Sequence, residues 1–394
     1  MRYSVAAAPR RDTRMPSRRI VLHLRSTGAL LGAERVILQL AARSEAHGYT
    51  PVVAGVQDRR DPSPELCRLA REMGIESYVF PCRAGFDRSL AALIRQTVRE
   101  RGVSLMHCHG YKDDIHALAA RAGVVKVATN HLWKGTSWRS RLYVHADALA
   151  LRRFDHVVAV SRPILDDMRR RGLKASKTSL IPNGIDSAPF ATPLSDDRRR
   201  ALRPELGLEP SDVVAVSVSS LTPEKGHRYV LEGLPRAAQT FPALRWLVVG
   251  DGTLREAIHE QAVALGISER VRLVGWRRDV PDLLRASDLF LLPSLVEGLP
   301  MALLEAMAAG LPAVASAVGD VATVIDDGRN GTLCAPGDVA ALGTGISRYA
   351  GDAGLRNEHG ARARATVEER FSSRAMAAAY CALYDELLSR RGGA

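Results

Sequence analysis

The chain has few aromatic residues, 5% of 394 positions, and very little lysine, six residues beside 49 arginines. So few rings argue against a surface that grips single-stranded nucleic acid by stacking. Five cysteines, Cys67, Cys82, Cys108, Cys334 and Cys381, are scattered, odd in number and without a C-x-x-C pair. That pattern speaks against a disulfide framework or a structural zinc site and for a reducing, cytoplasmic compartment. No apolar run approaches the roughly 18 residues that a membrane span needs. No D-x-D occurs, and no intact G-x-G-x-x-G follows the first apolar run, which weakens a dehydrogenase reading.

What is present is ordinary globular composition, 46% hydrophobic, with an uneven charge. The formal charge is +12, and residues 1–190 hold 32 Lys and Arg against 17 Asp and Glu, while residues 191–394 hold 23 against 26. One half carries the whole excess. Such a half can meet nucleic acid, an anionic membrane surface or an acidic ligand. Part of it lies in residues 1–18, a basic stretch without the apolar core of a secretory signal, expected to be a disordered tail.

Short β-branched runs alternate with amphipathic stretches along the rest of the chain. Strands are expected at 20–25, 51–56, 75–80, 103–107, 124–128, 155–160 and 178–181, and again at 213–218, 244–249, 271–273, 289–292 and 313–315. Near-continuous apolar runs such as VVAG and VVAV suit strands buried on both faces, and the alternation implies parallel sheets flanked by helices. A polar, proline-bearing segment at 182–210 reads as the join between two Rossmann-like halves. The expected division is 19–190, 191–371 and a last helix over 372–394 that crosses back to the first half. Ligands of such sheets bind at the carboxyl ends of the strands.

The strongest local signal follows the run LFLLP: Glu297-Gly298-Leu299-Pro300, then an apolar helix carrying Glu305. Gly298 and Pro300 make a tight turn, with Pro300 suited to the first helical turn. The free N–H groups and positive dipole end at residues 299–301 can take a diphosphate. A carboxylate accepts two hydroxyl hydrogens, so Glu297 and Glu305 can each hold a sugar or ribose diol. Lys225, in a Gly-containing loop after a strand, can meet developing phosphate charge.

In this order and spacing, the motifs resemble those of family 4 glycosyltransferases, retaining enzymes of the GT-B fold. The likeness rests on Glu297-x7-Glu305 running into EAMAAGLPAVAS, with Gly32-Ala-Glu34-Arg35, His107-Cys-His109-Gly110, Val127-Ala-Thr-Asn-His131, Asp155–Ser161, Ile181-Pro-Asn-Gly-Ile-Asp186, Pro223-Glu-Lys-Gly226 and Val248-Val-Gly-Asp-Gly252. The resemblance implies an α/β protein of two Rossmann-like domains facing a central cleft. It gives Glu297 the donor sugar, Glu305 the nucleotide ribose, Lys225 the diphosphate and His131 a place by the reacting carbon. Gly252 and Trp276 would line the donor site, with core packing the alternative for Trp276. Gly28, Gly32, Glu34, Arg35 and His109 would form the acceptor and phosphate loop of the first half, His109 lining the cleft and His107 lying in the core.

Two departures stand out. Ser220 replaces an arginine that family members often carry as a phosphate ligand, leaving Arg228 or Arg277 as candidates to compensate. Gly28 and Gly32 stand apart where the family often has a glycine pair. No metal or other cofactor is expected. The two histidines at i and i+2 lack a third ligand nearby in sequence.

The resemblance implies transfer of a hexosyl or N-acetylhexosaminyl group from a nucleotide sugar, UDP favoured over GDP-mannose, to a saccharide or lipid-linked acceptor in surface polysaccharide synthesis. The basic half would then favour peripheral attachment to an anionic membrane surface at the inner face of the cell membrane. The alternatives are a small soluble natural-product acceptor, a GT-B sugar-nucleotide epimerase, and a nucleic-acid-binding or scaffolding protein. The last has no recognition motif here, and no nucleic-acid partner is expected.

Overall fold

The computed structural model describes residues 19–26, 32–57, 65–82, 85–131, 138–192 and 194–392. The expected tail and Gly28 lie outside them. Seven strands build the first sheet: β1 (Arg19–Arg25), β2 (Tyr49–Gln57), β3 (Glu76–Pro81), β4 (Val103–Cys108), β5 (Val125–Asn130), β6 (His156–Ala159) and β7 (Thr178–Leu180). Their order is β3-β2-β1-β4-β5-β6-β7, with every pairing parallel. Six build the second: β8 (Val213–Val218), β9 (Leu244–Val249), β10 (Val271–Gly275), β11 (Leu289–Leu292), β12 (Ala313–Ser316) and β13 (Gly331–Cys334), in the order β10-β9-β8-β11-β12-β13 and again all parallel. These are two Rossmann-like α/β sheets.

Each sheet reverses its direction of growth once, between β1 and β4 and between β8 and β11. Loops leaving neighbouring strands at such a point diverge and open a crevice at their carboxyl ends. That geometry places the loop after β8 beside the loop after β11. β13 is not among the strands expected from the sequence: its four residues Gly-Thr-Leu-Cys hold a single large aliphatic side chain and open on a glycine, which weakens a strand.

The segment at 182–210 is not a simple linker. It contains the helices Ala188–Ala191 and Asp196–Glu205, and Ile185, Phe190, Leu202, Leu206 and Leu208 are buried in the core of the second sheet. Ile181, by contrast, packs with the first. The packing therefore changes over between Ile181 and Ile185, ahead of the division expected at 190.

The last helix, Ser373–Gly392, lies on the first sheet. Met376, Ala377, Tyr380, Cys381, Tyr384 and Leu387 form one apolar stripe buried against Val21, Leu105 and Val127. The two crossings between domains clasp each other. Ile185 N–H donates to the Phe371 carbonyl at 2.9 Å and Ser373 N–H to the Ile185 carbonyl at 2.6 Å. A Cβ on Gly184 would stand 2.5 Å from the Ser372 carbonyl oxygen, so only glycine lets the two crossings lie this close. Among the described residues no helix is long and apolar enough to cross a membrane.

Candidate active site

The loop after β8 turns through Pro223–Lys225 and closes on Gly226 at φ +68°. A Cβ there would stand 2.1 Å from the Pro293 carbonyl oxygen, so the glycine lets this loop lie against the end of β11. The approach brings Lys225 Nζ to 2.7 Å from Glu297 Oε1, across 72 positions of sequence. Ser294 Oγ donates to the same carboxylate oxygen at 2.7 Å. The Glu297 side chain is 9% exposed and that of Lys225 is 23% exposed. A carboxylate so enclosed needs its partners, and it in turn fixes the ammonium at the switch point of the second sheet.

The turn Gly298-Leu299-Pro300 leads into the helix Met301–Ala308, with Pro300 at the N-cap, one position before the expected first helical turn. Gly319, after β12 at φ +53°, backs this turn: its Cβ would lie 2.2 Å from the Glu297 carbonyl oxygen. Asp320 N–H donates to the Gly298 carbonyl at 2.9 Å. Gly319→Ala should therefore push the Glu297 loop out of place and lower kcat/KM for a sugar nucleotide by about 10²-fold. Steady-state nucleotide release, with circular dichroism to verify the fold, checks this.

The same region touches the other domain. The Asp320 carboxylate accepts from Arg162 N–H at 2.8 and 3.2 Å, at the N-terminus of the helix Arg162–Arg170. Met301 packs against cores of both domains. Glu305 is partly buried, and burial pushes its carboxyl up to about 7, while the exposed Arg35 guanidinium of the first domain draws it down. The two glutamates thus differ: Glu297 is paired to a cation, whereas Glu305 sits where protonation is within easy reach.

On the first domain, β1, β4 and β5 bring four histidines together. His23 pairs in register with His107, the residue that sequence reading lacked. His23 Nδ1 lies 3.2 Å from His109 Nε2, and His109 Nδ1 lies 3.3 Å from His131 Nε2. His107 sits in the core, with Nδ1 2.6 Å from the Tyr384 hydroxyl and Nε2 2.7 Å from Thr129 Oγ1. Burial pushes the His23 and His131 imidazoles down to about 3, and His107 and His109 well below the usual range. His23, His107 and His109 form the third-ligand cluster not visible in sequence, with nitrogens within 4.8 Å of one another. Five of those six nitrogens already face hydrogen-bond partners.

Several expected site residues stand elsewhere. His109 is 3% exposed with both nitrogens facing other imidazoles, so it lies behind the cleft surface instead of lining it. Glu34 is fully buried and its Oε1 accepts from Arg25 Nε at 2.7 Å; a desolvated carboxylate is held by that cation, not offered to an acceptor. Arg25 also donates to the His109 carbonyl, tying Glu34 to the histidine strand. Trp276 is 68% exposed with Arg278 over its ring, which overturns core packing; among the described residues the buried tryptophan is Trp246. Ser220 is exposed, its hydroxyl 3.3 Å from that of Thr222. Arg277 is forked between Asp279 and Glu205 at 2.7 to 2.9 Å, and Arg228 lies along the Tyr229 ring, so both candidate substitutes for the missing arginine are otherwise engaged. Gly252 presses on the loop after β8, its Cβ position 2.5 Å from the Leu221 carbonyl oxygen. Gly32 opens the helix Gly32–Ser44 that carries Arg35.

Residues 198–366 match the family described as glycosyl transferases group 1, and residues 31–188 match glycosyltransferase family 4. The chain belongs to this glycosyltransferase family and has its GT-B fold. It is 32% identical over 180 residues to the Escherichia coli UDP-Gal:alpha-D-GlcNAc-diphosphoundecaprenol alpha-1,3-galactosyltransferase, covering 45% of this chain and 46% of that protein. It is 30% identical over 234 residues to the Bacillus anthracis N-acetyl-alpha-D-glucosaminyl L-malate synthase, covering 59% and 60%. The matches thus span about half to three-fifths of these curated relatives. The crystal structure of Anabaena HepE in complex with UDP superposes with a TM-score of 0.79 at 24% identity, covering 93% of this chain and all of that one.

Proposed function

We infer that this glycosyltransferase moves a hexose or N-acetylhexosamine, with retention, from a UDP-sugar to a saccharide or lipid-linked acceptor of surface polysaccharide synthesis. The observation that carries the reading is the Lys225–Glu297 pair at the β8/β11 switch point, beside the helix Met301–Ala308. In this reading the bond from the sugar carbon to the diphosphate oxygen breaks. Lys225 and the helix N-terminus take up the negative charge that develops on the leaving diphosphate. The acceptor hydroxyl attacks from the same face and passes its proton to a departing phosphate oxygen. Glu297 orients the donor sugar, Glu305 holds the ribose diol, and His131 meets the donor beside the reacting carbon. No metal takes part in this scheme.

UDP is favoured by the E. coli relative named for UDP-Gal and by the fold shared with HepE bound to UDP. A diphosphoundecaprenol-borne acceptor in that same relative's name supports a lipid-linked acceptor. With it comes work at the inner membrane face, where the basic first half meets anionic lipid. A small soluble acceptor is the second reading, supported by the relative named for an L-malate product. The test is nucleotide release from a panel of UDP-, GDP- and ADP-sugars, with and without an undecaprenol-linked saccharide or L-malate. Release from UDP-sugars stimulated by the lipid-linked acceptor is the expected result. Exclusive use of GDP-mannose, or stimulation by malate alone, would overturn the main reading.

A further inference from the structure

We propose that His23 and His109 are positioning residues that hold the proton of His131 on Nδ1, making His131 a neutral hydrogen-bond donor toward the sugar nucleotide. This rests on the reading above, in which His131 meets the donor. Three imidazoles stand in line, joined at His131 Nε2 with His109 Nδ1 and at His109 Nε2 with His23 Nδ1. Burial keeps each of them neutral, and a neutral imidazole has one N–H and one lone pair. The middle ring can therefore donate on one side only, and both links must run the same way. One end of the line then ends in an N–H and the other in a lone pair.

Both end atoms, His23 Nε2 and His131 Nδ1, are buried and have no hydrogen-bond partner among the described residues. They differ in what can reach them. His23 Nε2 lies inside the first domain, on a fully buried side chain whose neighbour His107 has its own nitrogens committed to Tyr384 and Thr129. A permanently unpaired N–H there is the rarer and costlier orphan, so this end takes the lone pair. His131 follows β5, at the carboxyl edge of the sheet where substrate oxygens can accept. The line thus runs outward: His23 Nδ1–H to His109 Nε2, His109 Nδ1–H to His131 Nε2, and His131 Nδ1–H to the substrate. His107 lies outside this line and ties β4 and β5 to the last helix through Tyr384 and through Thr129, whose hydroxyl is 2.9 Å from that of Tyr380.

The test is a long-range proton–nitrogen correlation spectrum of ¹⁵N-histidine-labelled, EDTA-dialysed full-length protein, with signals assigned by single variants. All three rings should show a protonated Nδ1 and a bare Nε2. His23→Phe should lose the single tautomer at His131 and lower kcat for nucleotide release by at least about tenfold, with a smaller change in KM. His23→Gln, whose amide N–H can donate to His109, should restore both. A protonated Nε2 at His131, an unchanged His131 tautomer in His23→Phe, or stoichiometric zinc on His23 Nε2 after zinc addition would overturn the proposal. The spectra are read without substrate, so they decide the tautomers even if every donor tried is inert, an outcome that would instead overturn the proposed function.

Discussion

Lys225→Met is expected to slow nucleotide release from a sugar nucleotide by about 10²- to 10³-fold, the scale seen when one preorganised donor is removed from a developing oxyanion. Methionine keeps most of the length and removes the charge. The change acts twice, because the Glu297 carboxylate, 9% exposed, then retains only the Ser294 hydroxyl among the partners described. A carboxylate stripped of its cation in a desolvated place turns toward water, and the donor sugar loses its orienting group. Lys225→Arg should recover only part of the rate, since a planar fork does not reproduce a single ammonium contact at 2.7 Å. Single-turnover nucleotide release, compared with thermal unfolding, separates chemistry from stability. A variant with near-normal release would remove Lys225 from the diphosphate site.

Glu305 should make nucleotide binding depend on pH near neutrality. Its carboxyl is raised from the usual range to about 7 by burial, with Arg35 opposing, so it is largely protonated at pH 6 and ionised at pH 8. Only the ionised form offers both oxygens as charged acceptors to the two hydroxyls of a ribose diol. UDP should therefore bind about tenfold tighter at pH 8 than at pH 6, the worth of exchanging neutral for charge-assisted hydrogen bonds. The sign for the nucleotide-free protein is opposite. Its raised pKa makes ionisation a cost in the fold, so stability falls as pH rises through about 7. Glu305→Gln should bind weakly and flatten the Glu305 part of both profiles. The phosphate's own titration near pH 6 is common to both proteins and cancels in the comparison. Calorimetric affinities that rise equally in both proteins would take Glu305 out of the ribose site.

Much of the fold was legible because its signals are local. Apolar runs of five or six residues with turn residues between them mark strands buried on both faces, and twelve of the thirteen appear this way. β13 escaped because Gly331, Thr332, Leu333 and Cys334 form a strand through their pairing with β12, not through their own propensity. The 182–210 segment escaped for a related reason. In its polar run DDRRR, Asp196, Asp197 and Arg200 are exposed and Arg198 and Arg199 pair with Asp282 and Asp288, while the buried Leu202, Leu206 and Leu208 recur at too short a range to stand out from a linker. In the candidate site, Glu297, Glu305 and Lys225 were legible from their places after strands. His23 was not: a histidine within LHLR reads as one more strand residue until its register beside His107 is known.

Two successive parallel α/β halves, their motif order and the residues lying at strand ends follow from local sequence alone, since strand periodicity and turn chemistry act within a few positions. Which of those residues meet depends on how the strands are ordered and the helices packed. Lys225 reaches Glu297 over 72 positions because β8 and β11 are neighbours in the sheet although β9 and β10 lie between them in sequence. In the first domain the packing of the helix Gly32–Ser44 and of the end of β4 sinks Glu34 and His109 behind the surface, where burial obliges each to find a partner, and the meeting of the two domains sets Arg35 of one toward Glu305 of the other. Pairings of this kind depend on closing long loops between specific strands, and no local pattern encodes them.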